Sequence, residues 1–109
     1  MILVTSDEVP GRIISETLGL VRGNTIRARN VGHDIMAALR NLAGGEISDY
    51  TKMVAESREQ AIDRMVAEAK SLNADAVVCI RFTTNSMMQG AAELLTYGTA
   101  VKLAPEDSE

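Results

Sequence analysis

Aromatic residues are almost missing from this chain: Tyr50, Phe82 and Tyr97 are all it has, and there is no tryptophan. Any core must therefore be assembled from Leu, Val, Ile, Met and Ala. The same shortage, together with a net charge of -4, argues against nucleic acid as a partner. There is little for bases to stack on and no positive excess to meet phosphates. Cysteine occurs once, as Cys79, so no internal disulfide can form, which fits a reducing compartment. Long apolar runs are missing too. Ile2-Leu3-Val4 is too short for a signal peptide, Asp7 and Glu8 follow at once, and no run approaches a membrane span. The chain reads as cytoplasmic, with no membrane partner.

The chemistry-bearing spacings are absent as well. His33 is the one histidine, and no Cys-x-x-Cys, His-x-x-x-His or mixed cluster offers a zinc site. The soft or borderline metal ligands are His33, Cys79, Met87 and Met88. The methionine pair with a lone cysteine would suit an ion such as Cu(I), or would simply pack on a neighbour. Cys79 with His33 is a nucleophile pair by type only, and a cysteine inside an apolar strand is usually an inert small hydrophobe. Gly44-Gly45-Glu46 precedes a helix N-terminus but lacks the lysine and the glycine spacing of a phosphate loop. The acids Glu46, Asp49 and Glu93 have no telling spacing. No catalytic signature is present.

What the chain does contain is a fold pattern, compatible with a single domain over residues 1–109. Residues Met1–Thr5 read as a short strand, and Pro10-Gly11 as a turn. Arg12–Val21 reads as a strand with a bend at Gly19, followed by a turn at Arg22-Gly23-Asn24 and more extended chain over Thr25–Ala28. Arg27 and Arg29 share one face there and suit a basic edge that discourages stray pairing. A short helix is expected from His33 or Asp34 to Leu42, stopped by Gly44-Gly45.

A long helix follows, from about Ser48 to Leu72. Its apolar positions are Ile47, Tyr50, Val54, Ala61, Ile62, Met65, Ala69 and Leu72, dominated by steps of three and four. Arg58 falls on that stripe. Either it snorkels along the edge of the stripe, or it is held at an interface by a carboxylate, because an unpaired buried charge is costly. Asn73-Ala74-Asp75 turns the chain, and Ala76–Thr83 returns as a strand. Its alternation places Ala76, Val78, Ile80 and Phe82 under the helix, and Val77, Cys79, Arg81 and Thr83 on a mixed second face. Asn85–Gly90 reads as a polar connection and Glu93–Leu103 as the last strand. Residues 104–109, with Glu106, Asp107 and Glu109, form an acidic tail expected to be flexible.

Taken as a set, several of these residues resemble the YbjQ-like family, a small bacterial and archaeal family labelled heavy-metal-binding and of uncharacterised function. They are Gly44-Gly45-Glu46, Tyr50-Thr51, Arg58, Ala61, Asn73-Ala74-Asp75-Ala76-Val77 and Tyr97-Gly98-Thr99-Ala100-Val101. Thr5-Ser6, the stretch from Gly11 to Gly19-Leu20-Val21 with Gly23 after it, and Arg81-Phe82 match too. The family's turn usually reads Gly-Ala-Asn-Ala, where this chain has Asn73-Ala74-Asp75-Ala76. The resemblance implies an α+β fold: a two-layer β-α-β-β core in which a curved antiparallel sheet packs on one long helix. It also implies a ring of subunits, most often a homopentamer, or a pair of pentamers. Its metal label brings no ligand pattern that this sequence displays. The polar residues in or beside the matching motifs are the candidate ligand-binding or interface network: Glu46, Tyr50, Arg58, Arg81, Glu93 and Tyr97. Arg58 or Arg81 would pair with Glu46 or Glu93, and the tyrosine hydroxyls would complete the network.

Overall fold

The computed structural model describes residues 1–27, 47–88 and 91–106. The elements in order are β1 (Ile2–Leu3), β2 (Ile14–Arg27), α1 (Ile47–Ser71), β3 (Ala76–Met88) and β4 (Ala91–Leu103). The expected short helix over 33–42, the Gly44-Gly45 stop, and the residues Arg29, His33 and Glu46 lie outside the described residues. The four strands form one sheet in the order β1-β3-β4-β2. β4 runs antiparallel to both of its neighbours, while β1 pairs in parallel with β3. The sheet is therefore mixed, not wholly antiparallel. β1 and β3 are separated by β2 and α1, so no tight hairpin forces them antiparallel.

Three of the strands are longer than the polarity pattern suggests. β2 continues without a break through Arg22-Gly23-Asn24, each paired with β4. The glycine that reads as a turn residue is instead the point where helix and strand touch. The place of a Cβ on Gly23 is already filled by the Ala61 carbonyl oxygen, the Met65 amide nitrogen and, at 2.8 Å, Arg64 Cβ. The polar stretch Asn85-Ser86 likewise stays in the ladder, opposite Glu93 and Ala92. Threonine, serine and asparagine are tolerated there because backbone pairing with β4 supplies the order that side-chain burial does not.

α1 ends in a Schellman motif. Asn73 takes the left-handed conformation at φ 61°, its N–H donates to the Lys70 carbonyl at 3.0 Å, and the Ala74 N–H donates to the Ala69 carbonyl at 3.1 Å. Asp75 then ties the turn to the end of β4. It accepts the Leu103 N–H at 2.8 Å, and Lys102 Nζ lies 3.7 Å from its other oxygen while donating to the Asn73 carbonyl at 3.0 Å. That backbone hydrogen bond, helped by the Lys102 and Arg12 charges and partly opposed by desolvation, holds the Asp75 carboxyl below its ordinary pKa of 3.8. A carboxyl whose pKa is lower in the fold than in the unfolded chain stabilises the fold fully above the unfolded value. The contribution fades as pH falls through the folded value. Melting profiles against pH should therefore show Asp75→Asn less stable than wild type at neutral pH, with the gap narrowing below about pH 4.

The sheet carries a small core on each face. On the helix side lie Val21, Met65, Ala69, Val77, Ile80 and Ala100, with Leu18 and Ala74 against them. On the opposite side, Val9, Ala76, Val78, Val101 and Leu103 are covered by the N-terminal segment through Ile2 and Val4. This corrects the face assignment of β3: Val77, not Ala76 or Val78, lies beneath the helix. The cause is a bulge. Register breaks between Val78 and Arg81, and Cys79 sits there at φ 57°. The amides of Cys79 and Ile80 both turn outward, donating to the Ser6 carbonyl at 2.9 Å and the Val4 carbonyl at 3.1 Å. The extra residue reverses the alternation, so Ile80 joins Val77 on the helix side.

The helix seam is narrower than the apolar stripe. Ser57, Ala61, Met65 and Ala69 are the buried positions, spaced by fours, whereas Val54 and Leu72 are exposed. The small residues let α1 sit almost on the backbone of β2, which draws it over β2 and β4 and leaves most of β3 uncovered. The buried hydroxyls are matched: Thr25 donates to the Ser57 carbonyl at 3.4 Å and Thr96 to the Arg81 carbonyl at 3.2 Å.

Candidate functional site

Beyond the N-terminal segment, no other described element covers the face of the sheet opposite α1. The register stacks three rows across β2, β4 and β3. Arg22, Tyr97 and Arg81 form the first, Asn24, Leu95 and Thr83 the second, and Ile26, Glu93 and Asn85 the third. Apolar side chains remain exposed on this face: Leu20 by 63%, Ile26 by 50% and Tyr97 by 36%. Such a mixture, apolar surface interrupted by charged groups, is the composition of a contact surface and not of a core.

On this face Glu93 is held from both sides. Asn24 Nδ2 donates to one carboxylate oxygen at 2.9 Å, and Asn85 Nδ2 donates to the other at 3.2 Å. One side chain thus ties together three strands. Both oxygens are engaged by neutral donors, without an ion pair among the described residues. Arg81 mirrors it. Its Nη1 donates to the Thr5 carbonyl at 2.8 Å and to the Ile80 carbonyl at 2.9 Å, and no carboxylate meets its charge among the described residues. Tyr97 stands between Arg22 and Arg81 in the register.

The sequence candidates therefore separate. Arg81, Glu93 and Tyr97 share this open face. Arg58 is exposed on α1, on the other side of the sheet, without an ion pair among the described residues. Tyr50 belongs to α1 by its backbone, with its side chain outside the described set. Neither arginine pairs with Glu93 within the chain; the carboxylate takes amide donors instead. Asn24, Asn85 and Arg22 belong to the same face and were missed, because a cross-strand row joins residues far apart in the sequence. The alternation of polar residues in 22–26 was the available signal.

Of the soft ligands, His33 and the side chains of Met87 and Met88 lie outside the described set. Among the described residues no three His, Cys, Asp or Glu side chains stand where they could hold a metal. Cys79 is half-buried in its bulge against Val78 and its neighbours. Met87 and Met88 lie at the far end of β3. Among the described residues no helix is long and apolar enough to cross a membrane.

Comparison with known proteins places this geometry in context. A family model described as "Putative heavy-metal-binding", YbjQ_1, matches residues 1–104. A UPF0145 protein of Methanoculleus marisnigri is 57% identical over 105 residues, covering 96% of this chain and 98% of its own. One from Archaeoglobus fulgidus is 56% identical over 103 residues, covering 94% and 95%. A crystal structure of a protein of unknown function of the DUF74 family, from Pediococcus pentosaceus, superposes with a TM-score of 0.58 at 15% identity, over 95% of this chain and 98% of that one. At that identity the likeness speaks for the fold alone.

Proposed function

Since this chain belongs to the YbjQ-like family, we propose that it is a cytoplasmic homo-oligomeric module, a ring of five subunits, that holds a small ligand where subunits meet. The observation that carries this reading is the open sheet face. Leu20, Ile26 and Tyr97 expose apolar surface around Arg22, Arg81 and Glu93, whose charges have no opposite partner within the described residues. A neighbouring subunit would remove the apolar surface from water and supply the missing counter-charges. Glu93, fixed by two amides, is a rigid acceptor suited to binding.

The family description favours a second reading, in which the retained species is a soft or borderline metal ion. Single ligands from several subunits could then converge, His33, Cys79, Met87 and Met88 being the candidates.

Native mass spectrometry of protein purified without a metal-affinity tag addresses both readings. The expected result is an assembly in multiples of five carrying extra mass, whose value separates an organic ligand from an ion. A bare monomer would overturn the proposal. Arg58→Ala then assigns that residue: a ring that persists without the extra mass places Arg58 in binding, and a ring that falls apart places it in assembly.

A further inference from the structure

The sheet face opposite α1 defines the charge and shape of what it can hold. Arg22, Tyr97 and Arg81 stand in one cross-strand row, on β2, β4 and β3. Two strand spacings separate the arginines, roughly 10 Å between backbones, with the tyrosine between them. All three residues are exposed. Neither arginine has an ion pair among the described residues. Glu93 is the carboxylate of the three rows. It lies four residues along β4 from Tyr97, roughly 13 Å away. Asn24 and Asn85 already occupy both of its oxygens. Glu68 reaches the Arg22 N–H from α1 without forming an ion pair with its guanidinium. A second copy of this face does not remove the imbalance. It again brings two arginines for each carboxylate, so positive charge stays in surplus when such faces meet.

Arg81 is held in advance of any ligand. Its Nη1 donates to the backbone carbonyls of Thr5 at 2.8 Å and Ile80 at 2.9 Å. Those two bonds use both hydrogens of Nη1 and fix the guanidinium. The Nε and Nη2 hydrogens form the edge that takes an oxyanion in two parallel bonds, and they have no acceptor among the described residues. The Arg22 guanidinium is likewise without a bond among the described residues. Apolar surface adjoins these donors: Tyr97 is 36% exposed between them, and Leu20, one row away on β2, is 63% exposed. Free guanidinium donors beside a bare ring suit a molecule with both characters, an oxyanion and a flat apolar body.

We infer that the ligand is an organic oxyanion, a ring-bearing phosphate or carboxylate, seated on Tyr97 between Arg22 and Arg81. This rests on the binding reading above and names the ligand class of that same face. It also separates the row from the metal reading, since two unpaired guanidinium groups repel a metal cation.

Isothermal titration calorimetry of the full chain tests this with naphthyl phosphate, naphthoate, naphthol and inorganic phosphate as probes. The two naphthyl anions should bind, the tighter of them identifying the anionic group. Naphthol and inorganic phosphate should bind more weakly by about tenfold or more. Arg22→Gln, Arg81→Gln and Tyr97→Ala should each weaken the tighter probe by about tenfold or more, with circular dichroism unchanged. Lys70→Gln, in the last turn of α1, should bind as wild type does. Naphthol as tight as the anions, inorganic phosphate as tight as the naphthyl anions, or an affinity untouched by the arginine variants overturns the inference. Should Arg81→Gln unfold for want of its backbone bonds, Arg22→Gln decides, because that side chain holds no described residue. Native mass spectra of the same samples keep the two claims apart. An assembly in multiples of five that takes up neither naphthyl anion overturns this inference and leaves the ring reading standing. A monomer overturns the ring, and the anion site then stands or falls on the variants.

Discussion

Gly23→Ala should lower the free energy of unfolding by about 3 kcal/mol or more, a large effect for the addition of one methyl group. The added Cβ would occupy the place of the Ala61 carbonyl oxygen and the Met65 amide nitrogen. Both are backbone atoms in the middle of a helix and cannot swing aside as the end of a side chain can. The helix must lift from β2. Lifting it parts Glu68 from the Arg22 N–H and Arg64 from the Asn24 carbonyl, and draws Met65 out of the core. Urea denaturation followed by circular dichroism checks this. A change below about 1 kcal/mol would mean that helix and strand are not in contact at this point.

Met65→Ala should cost about 2–5 kcal/mol. Met65 is fully buried and is the largest of the fully buried side chains among the described residues. It reaches from the seam of α1 into the cluster of Val21, Ala69, Val77, Ile80 and Ala100, most of whose members are small. Truncation therefore leaves a cavity that the backbone-close packing of helix and sheet has little freedom to collapse. Thr96 loses a weak sulfur contact at 3.9 Å but keeps its bond to the Arg81 carbonyl, so the loss is mainly one of packing. Met65→Leu, which preserves volume, should cost less than about 1.5 kcal/mol. Equal midpoints for the alanine and leucine variants in urea would contradict the packing described.

Regular periodicity identifies element type. The long helix was expected over about Ser48–Leu72 and spans Ile47–Ser71, because its three-and-four spacing continues for seven turns. The Asn73 turn and the start of β3 at Ala76 follow from a residue that accepts φ > 0 and a β-branched run behind it. Errors cluster where one residue changes the local rule. The Cys79 bulge reverses which side chains of β3 face the helix, and no composition signal marks it, because cysteine is an ordinary strand residue. Gly23 reads as a turn in sequence, yet serves a helix that arrives from nearly forty residues away. Of the candidate network, Glu93 is placed beside two amides, Asn24 and Asn85, that the sequence does not connect to it. They join it only through strand register, which a local pattern does not encode.

The sequence by itself determined the long helix and the starts of the strands around it, the family, a core without aromatics to spare, and the lack of an internal disulfide and of a zinc spacing. Those follow from residue type and short-range spacing, which act over a few residues. The tertiary structure alone decided which faces and edges are used. Close approach at Gly23 draws the helix over β2 and away from β3, the bulge at Cys79 directs two amides to the N-terminal segment, and both leave part of β3 and one sheet face uncovered among the described residues. The physical reason is that burial and hydrogen-bond satisfaction are properties of all the neighbours at once. Those neighbours are set by register and close packing between segments far apart in the chain.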